Sequence, residues 1–224
     1  MPRTGFPIVS STVVLVLATL GATAFRPLRS RPSAPTTARA DSISARADAG
    51  RILGSPTAKV WFIEASDFQC PFCKQWHDES FATIMKEYVN TGKVRYAFLN
   101  DPLSMHQFSM QAAEAGMCAS AQNKFWPMHQ ELFATQHQWE VLPDPAAYFD
   151  SLAVKAGVNA AEWRDCVRTH ATRPIIDADR YRLRSSGVQS TPTFFVGSEH
   201  LEGVQPLAVM RKVLDDALAK AGAP

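Results

Sequence analysis

The tetrapeptide Cys70-Pro71-Phe72-Cys73 constrains this chain more than any other stretch. It follows an apolar run, Val60-Trp61-Phe62-Ile63, and opens a segment with helical periodicity. Two intervening residues let both sulfurs meet across the first turn of a helix. A Cys-x-x-Cys pair at a strand-to-helix junction is the arrangement of a thiol–disulfide redox site. Cys70 falls at the helix N-terminus, where unpaired N–H groups and the positive end of the dipole favour a thiolate. Pro71 suits the first helical position, because its ring fixes φ and it has no N–H to leave unpaired. The expectation is an exposed, acidic nucleophile at Cys70 and a more buried resolving thiol at Cys73.

The same pair can be read as half of a metal site. A structural zinc site takes four ligands, usually from two such pairs. The other cysteines, Cys118 and Cys166, are far apart, and His77 follows Cys73 by one helical turn. A three-ligand zinc or copper site is therefore the rival to redox chemistry. The ligand count favours redox, with His77 a solvated or hydrogen-bonded helix residue and no metal or other cofactor.

The first fifty residues differ from the rest. Residues 1–25 contain an uncharged, apolar stretch from Ile8 to Phe25 with Arg3 ahead, the length of a secretory signal or a membrane anchor. Ala22-Thr23-Ala24 fits a cleavage site, whereas Arg26, Arg29 and Arg31 oppose export, so both readings stand. Residues 26–50, rich in Arg, Ser, Ala, Pro and Thr, are read as a disordered spacer. Residues 1–51 hold seven Arg and two Asp, which leaves the remainder acidic although the chain as a whole carries +2. No basic stripe interleaved with aromatics occurs there, so nucleic acid is excluded as a partner. Residues 51–221 suffice for one domain with its own core.

With Cys70 paired to Cys73, Cys118 is left for Cys166. In an exported chain the bridge is the preferred reading, with two buried free thiols as the alternative. Closing a separation of 48 residues is worth roughly 4 kcal/mol.

Periodicity places strands at Lys59–Glu64 and Lys93–Leu99, with a helix from Phe72 to Asn90 between them. Helices follow at Phe108–Ala121, at Pro127–His137, from Asp144-Pro145 to Gly157, from the capping pair Asn159 and Glu162, and from Pro174 to Gly187. Thr193–Val196 and His200–Glu202 read as a hairpin, and Pro206 opens a last helix. The sum is an α/β fold, a small mixed sheet flanked by helices, with a helical insertion at about 104–170.

Ser66-Asp67-Phe68-Gln69-Cys70-Pro71-Phe72-Cys73, then Lys124-Phe125-Trp126-Pro127-Met128-His129 with Leu132-Phe133, and finally Ser190-Thr191-Pro192-Thr193-Phe194-Phe195-Val196-Gly197, together resemble the DsbA-like thioredoxin-fold family. The resemblance covers about residues 50–221. It implies an exported thiol–disulfide oxidoreductase acting on protein thiols and disulfides, with a membrane quinone-linked redox partner. It implies a cis Thr191-Pro192 bond beside the cysteines, with Thr191, Pro192 and Phe72 meeting the client. It implies that Glu64 is a buried carboxyl exchanging a proton with Cys73. Phe72 departs from the strongly oxidising members, which carry histidine there, so a weaker oxidant is expected. No separate dimerisation domain precedes the catalytic one, which argues for a monomer and against an isomerase. A non-catalytic thioredoxin-like binding module is the rival class. His106, His129 and His200 are read as structural or surface residues, and Phe125 and Trp126 as core of the insertion.

Overall fold

The computed structural model describes residues 37–222. Five strands, β1 (Ile52–Leu53), β2 (Val60–Ser66), β3 (Val94–Asn100), β4 (Thr193–Val196) and β5 (Glu199–Glu202), form one sheet in the order β1-β3-β2-β4-β5. β2 and β3 are parallel, and the other pairings are antiparallel. The parallel pair needs a crossover, which the helix over 71–89 provides. That helix is α-helical at α2 (Pro71–Trp76) and α3 (Ala82–Ile84), with wide π turns at His77–Phe81 and Met85–Val89 where a plain α-helix is expected.

The insertion comprises α4 (Ser109–Ser120), α5 (Phe125–Ala134), α6 (Gln136–Trp139), α7 (Ala146–Lys155) and α8 (Ala160–Arg168). Asn159 caps α8 by accepting from the N–H groups of Ala161 and Glu162 at 3.1 and 3.2 Å. α9 (Arg173–Ser185) and α10 (Leu207–Lys220) complete the chain.

Alternation along the strands sorts the core. Phe62, Tyr96, Phe194 and Val196 pack with Trp76, Ile84, Met210 and Leu214. Phe68 and Phe98 join the core of the insertion with Phe125, Met128 and Phe133. On the opposite face Ala65 meets Leu183 and Val188 near the end of α9.

The spacer expected over 26–50 is helical in its second half, as α1 (Thr37–Gly50). Its Ala-rich stretch has good helix propensity, and it docks through Ile43 and buried Ala47 against the core of the insertion as well as through hydrogen bonds. Ser120 Oγ donates to the Ala47 carbonyl at 2.6 Å, and Arg46 Nε to the Ala121 carbonyl at 3.2 Å. A Cβ on Gly50 would lie 2.6 Å from the Ser120 carbonyl oxygen, so only glycine allows this approach. Just beyond, buried Arg51 pairs with buried Asp179 of α9, which also accepts from the Asn100 N–H at 3.1 Å. Among the described residues no helix is long and apolar enough to cross a membrane. The expected signal or anchor at 1–25 lies outside them.

Candidate active site

β2 and β3 run parallel, so the loops after Ser66 and Asn100 emerge side by side. The redox pair sits at this end, on the first turn after β2. The Cys70 N–H donates to the Asp67 carbonyl at 3.0 Å, closing a turn that aims the chain into α2. Cys70 is the N-cap and Pro71 the first helical residue. Gln136 of α6 steadies the turn, its Nε2 donating to the carbonyls of Phe68 at 2.7 Å and Cys70 at 3.1 Å.

Both cysteines are free thiols and both are buried. The exposed nucleophile expected at Cys70 is therefore corrected: its exposure is 3%, against 0% for Cys73. The cover comes from the far end of the sequence. Thr191 stands against Cys70, whose Sγ donates to the Thr191 carbonyl at 3.4 Å. The Thr191-Pro192 bond is cis and Pro192 is buried. Phe72 points outward, 60% exposed, and with Ser190, Thr191, Val204 and Pro206 lines an open groove of about 800 Å³.

The two thiols are tuned in opposite directions. A hydrogen bond from the Cys73 thiol is the largest influence on Cys70 and lowers its pKa to about 6, against the opposing effect of burial. The Thr191 hydroxyl, which makes no other hydrogen bond, and the N–H groups of Cys73 and Phe72 act in the same direction. Burial pushes Cys73 well above the ordinary thiol value, and the neighbouring Cys70 adds to it. The Asp67 N–H donates to Cys73 Sγ at 3.5 Å.

Glu64, near the end of β2, is buried. Its Oε2 accepts from Trp76 Nε1 at 2.7 Å and from the Tyr96 hydroxyl at 2.5 Å. Burial raises its pKa, and the hydrogen bonds only partly offset this. The Ser66 hydroxyl, buried and unpartnered, favours the ionised form of both Glu64 and Cys73.

The chain belongs to the thioredoxin family. The family model described as thioredoxin matches residues 46–216. The sodium/proton antiporter NhaA 3 of Salinispora tropica is 32% identical over 176 residues, covering 78% of this chain but 26% of that protein. The chain thus spans about a quarter of the length of such relatives. The disulfide bond formation protein D of Bacillus subtilis is 20% identical, covering 75% of this chain and 76% of its own. The crystal structure of alpha-DsbA1 from Wolbachia pipientis superposes with a TM-score of 0.67 at 23% identity, covering 76% of this chain and 92% of that one. The fold is therefore DsbA-like, a thioredoxin fold with a helical insertion.

Other residues fall elsewhere. Cys118 and Cys166 are bonded, with Cα atoms 5.8 Å apart, and tie α4 to α8. His77 is buried rather than solvated, its ring stacked on Phe81 and Phe133. Among the described residues no group of three or more His, Cys, Asp and Glu side chains is placed to hold a metal. His129 is buried among Phe68, Phe98 and Phe133, and His200 stacks on Phe195. His106 lies on the loop after β3 and ties it to the turn before Cys70, in keeping with the structural role expected. Its Nδ1 donates to Asp67 Oδ2 at 2.7 Å. No local motif joins residues 39 apart; the signal is that both follow adjacent parallel strands.

Proposed function

We propose that the protein is an exported thiol–disulfide oxidoreductase that exchanges disulfides with protein clients through Cys70 and Cys73. The observation that carries this reading is geometric: two free thiols one turn apart at a helix N-terminus, with Cys70 against the carbonyl of the cis Thr191-Pro192 pair. An acidic Cys70 is a ready nucleophile and a good leaving group near neutral pH, while Cys73 stays protonated until it is needed.

In the oxidising direction a client thiolate attacks Cys70 in the Cys70–Cys73 disulfide. The client–Cys70 bond forms, the bond between the cysteines breaks, and Cys73 takes up a proton. A second client thiolate then attacks the client sulfur and expels Cys70 as a thiolate. Two electrons pass from client to protein, and a membrane quinone-linked partner accepts them in turn. In the reducing direction the same steps reverse, and Cys73 must lose its proton. Glu64 takes it through the Ser66 hydroxyl, which lies beside both groups. Thr191 and Pro192 present backbone to an extended client, and Phe72 meets it along the groove. The apolar stretch Ile8–Phe25 and the Cys118–Cys166 bridge both suit an oxidising compartment outside the cytoplasm.

The test is trapping. Cys73→Ser incubated with a client disulfide should accumulate a mixed disulfide at Cys70, identified by mass mapping, whereas Cys70→Ser should form none. Mixed disulfides at neither cysteine, or turnover by Cys70→Ser, would refute the reading.

A further inference from the structure

Phe72 lies in the groove and brings no charge to the thiolate. A charge does reach the site, from the loop after β3. Four hydrogen bonds clamp that loop to the turn before Cys70. The Leu103 N–H and His106 Nδ1 donate to Asp67 Oδ2 at 2.9 and 2.7 Å. Ser109 Oγ donates to Asp67 Oδ1 at 2.5 Å, and the Phe108 N–H to Gln69 Oε1 at 2.7 Å. The Gln69 N–H adds a further donor to Asp67 Oδ1 at 2.8 Å. The Asp67 side chain is fully buried, and among the described residues its ion-pair partner is His106, with no lysine or arginine.

This carboxylate lies three residues before Cys70, and its backbone N–H touches Cys73 Sγ. A buried negative charge so close opposes a second one on Cys70. An imidazolium on the same carboxylate removes that opposition.

We propose that His106, held as an imidazolium by Asp67, is the charge that stabilises the Cys70 thiolate, the task Phe72 does not perform. His106 is a positioning residue that acts through the local field. The other charged groups around it are accounted for. Lys74, one turn beyond Cys70, pairs with Asp78 at 2.7 Å, and Asp101 at the end of β3 pairs with Arg184 at 2.9 Å. Cys73 carries a proton in this state, and Glu140, beyond α6, adds to the negative field that holds His106 protonated. The Asp67 hydrogen bond is the largest influence raising the His106 pKa, and the charge of Cys70 adds to it.

The inference rests on the redox reading of the pair, yet its test needs no client. Linkage makes it reciprocal: if His106 favours the thiolate, the thiolate must favour protonated His106. NMR titration of the unaltered protein should give a His106 pKa that falls when Cys70 and Cys73 are oxidised to the disulfide. In the reduced protein, thiolate absorbance at 240 nm should show His106→Gln lowering the thiolate-to-thiol ratio of Cys70 at pH 6 by about threefold, half a pKa unit. Equilibration with glutathione should show the same variant to be a weaker oxidant, and His106→Lys should keep both properties near the parent values. An identical His106 pKa in the two redox states would overturn the proposal. So would equal losses in the Gln and Lys variants, which would mark His106 as a loop fastener only. A protein that meets these expectations but turns over no client would sink the oxidoreductase reading and leave this one standing.

Discussion

Two buried groups should tilt the pH dependence of stability in opposite directions. Glu64 and His129 are both almost fully buried. Burial raises the pKa of Glu64 above its ordinary 4.5. Burial, with His77 nearby, drives the pKa of His129 well below 6.5. Relative to the unfolded chain, burial pushes native Glu64 toward its protonated form and native His129 toward its neutral form. For His129 the unfolded state binds the extra proton, so stability falls as pH drops below 6.5. For Glu64 the native state binds it, so stability falls as pH rises toward its raised pKa. Each effect is at most about 1.4 kcal/mol per pH unit, and in the parent the two oppose each other.

Single substitutions uncover them. Glu64→Gln keeps an acceptor for Trp76 and Tyr96 and loses the titration. Its stability should drop on going from pH 6 to pH 5 by more than the parent's, with about 1.4 kcal/mol as the ceiling. His129→Phe keeps an aromatic ring among Phe68, Phe98 and Phe133. Its stability should rise over the same interval relative to the parent, by a similar amount. The assay is urea unfolding of both variants and the parent at the two pH values, in the dithiol form. Comparison with the parent removes groups common to all three, including Cys70. A Glu64→Gln slope equal to the parent's would mean that Glu64 is ionised in the folded protein, and the burial argument would fail.

Arg51→Ala should destabilise by about 3–5 kcal/mol, because it strands the buried Asp179 carboxylate, and denaturant unfolding will measure it. The double variant Cys118→Ala, Cys166→Ala should cost roughly 4 kcal/mol by loop closure. It should leave the Cys70 acidity unchanged in a 240 nm titration, since the bridge lies in the insertion. Phe72→His should make the disulfide more oxidising when equilibrated with glutathione, since an imidazole beside Cys70 stabilises the reduced form. An unchanged potential would mean that the position 72 side chain stays in the groove, out of reach of the sulfur.

The strands and most helices could be read from periodicity and caps, because these are local signals. Asn159 caps α8 where its spacing to Glu162 indicates, and β4 and β5 pair across the turn after Val196. The helix α1 was hidden because Ile43 and Ala47 are too few to make an apolar period, and the rest of its docking uses Ser120, Arg46 and a glycine. The two-residue strand β1 is too short for alternation to reveal. At the site, the paired cysteines, Glu64 and the Thr191-Pro192 loop were legible. The burial of Cys70 was not, because Thr191 lies 121 residues away in sequence. Gln136 and His106 were equally silent: each acts through one hydrogen-bonding atom, and only the assembled sheet and insertion bring that atom to the turn.

The site also shows how one strand end can supply two different kinds of acid. Glu64 and Asp67 stand three residues apart around the end of β2, and both are buried. Two donors, Trp76 and Tyr96, converge on a single oxygen of Glu64, too little to offset burial, so this carboxyl is driven toward its protonated form. Four donors share both oxygens of Asp67, from Gln69, Leu103, His106 and Ser109, a set that fits an acceptor-only carboxylate. One acid is thus under-supplied with donors for its burial, and the other is held on both oxygens, one of them by His106. The Ser66 hydroxyl favours the ionised form of both Cys73 and the first, whereas the turn carrying Cys70 is built on the second. That division suits a pair in which Cys73 must exchange a proton in each cycle and Cys70 must leave as a bare thiolate. If His106 supplies the charge proposed for it, the dipeptide between the cysteines does not alone set the redox character of this chain, because part of the charge balance of Cys70 then arrives on a loop more than thirty residues away.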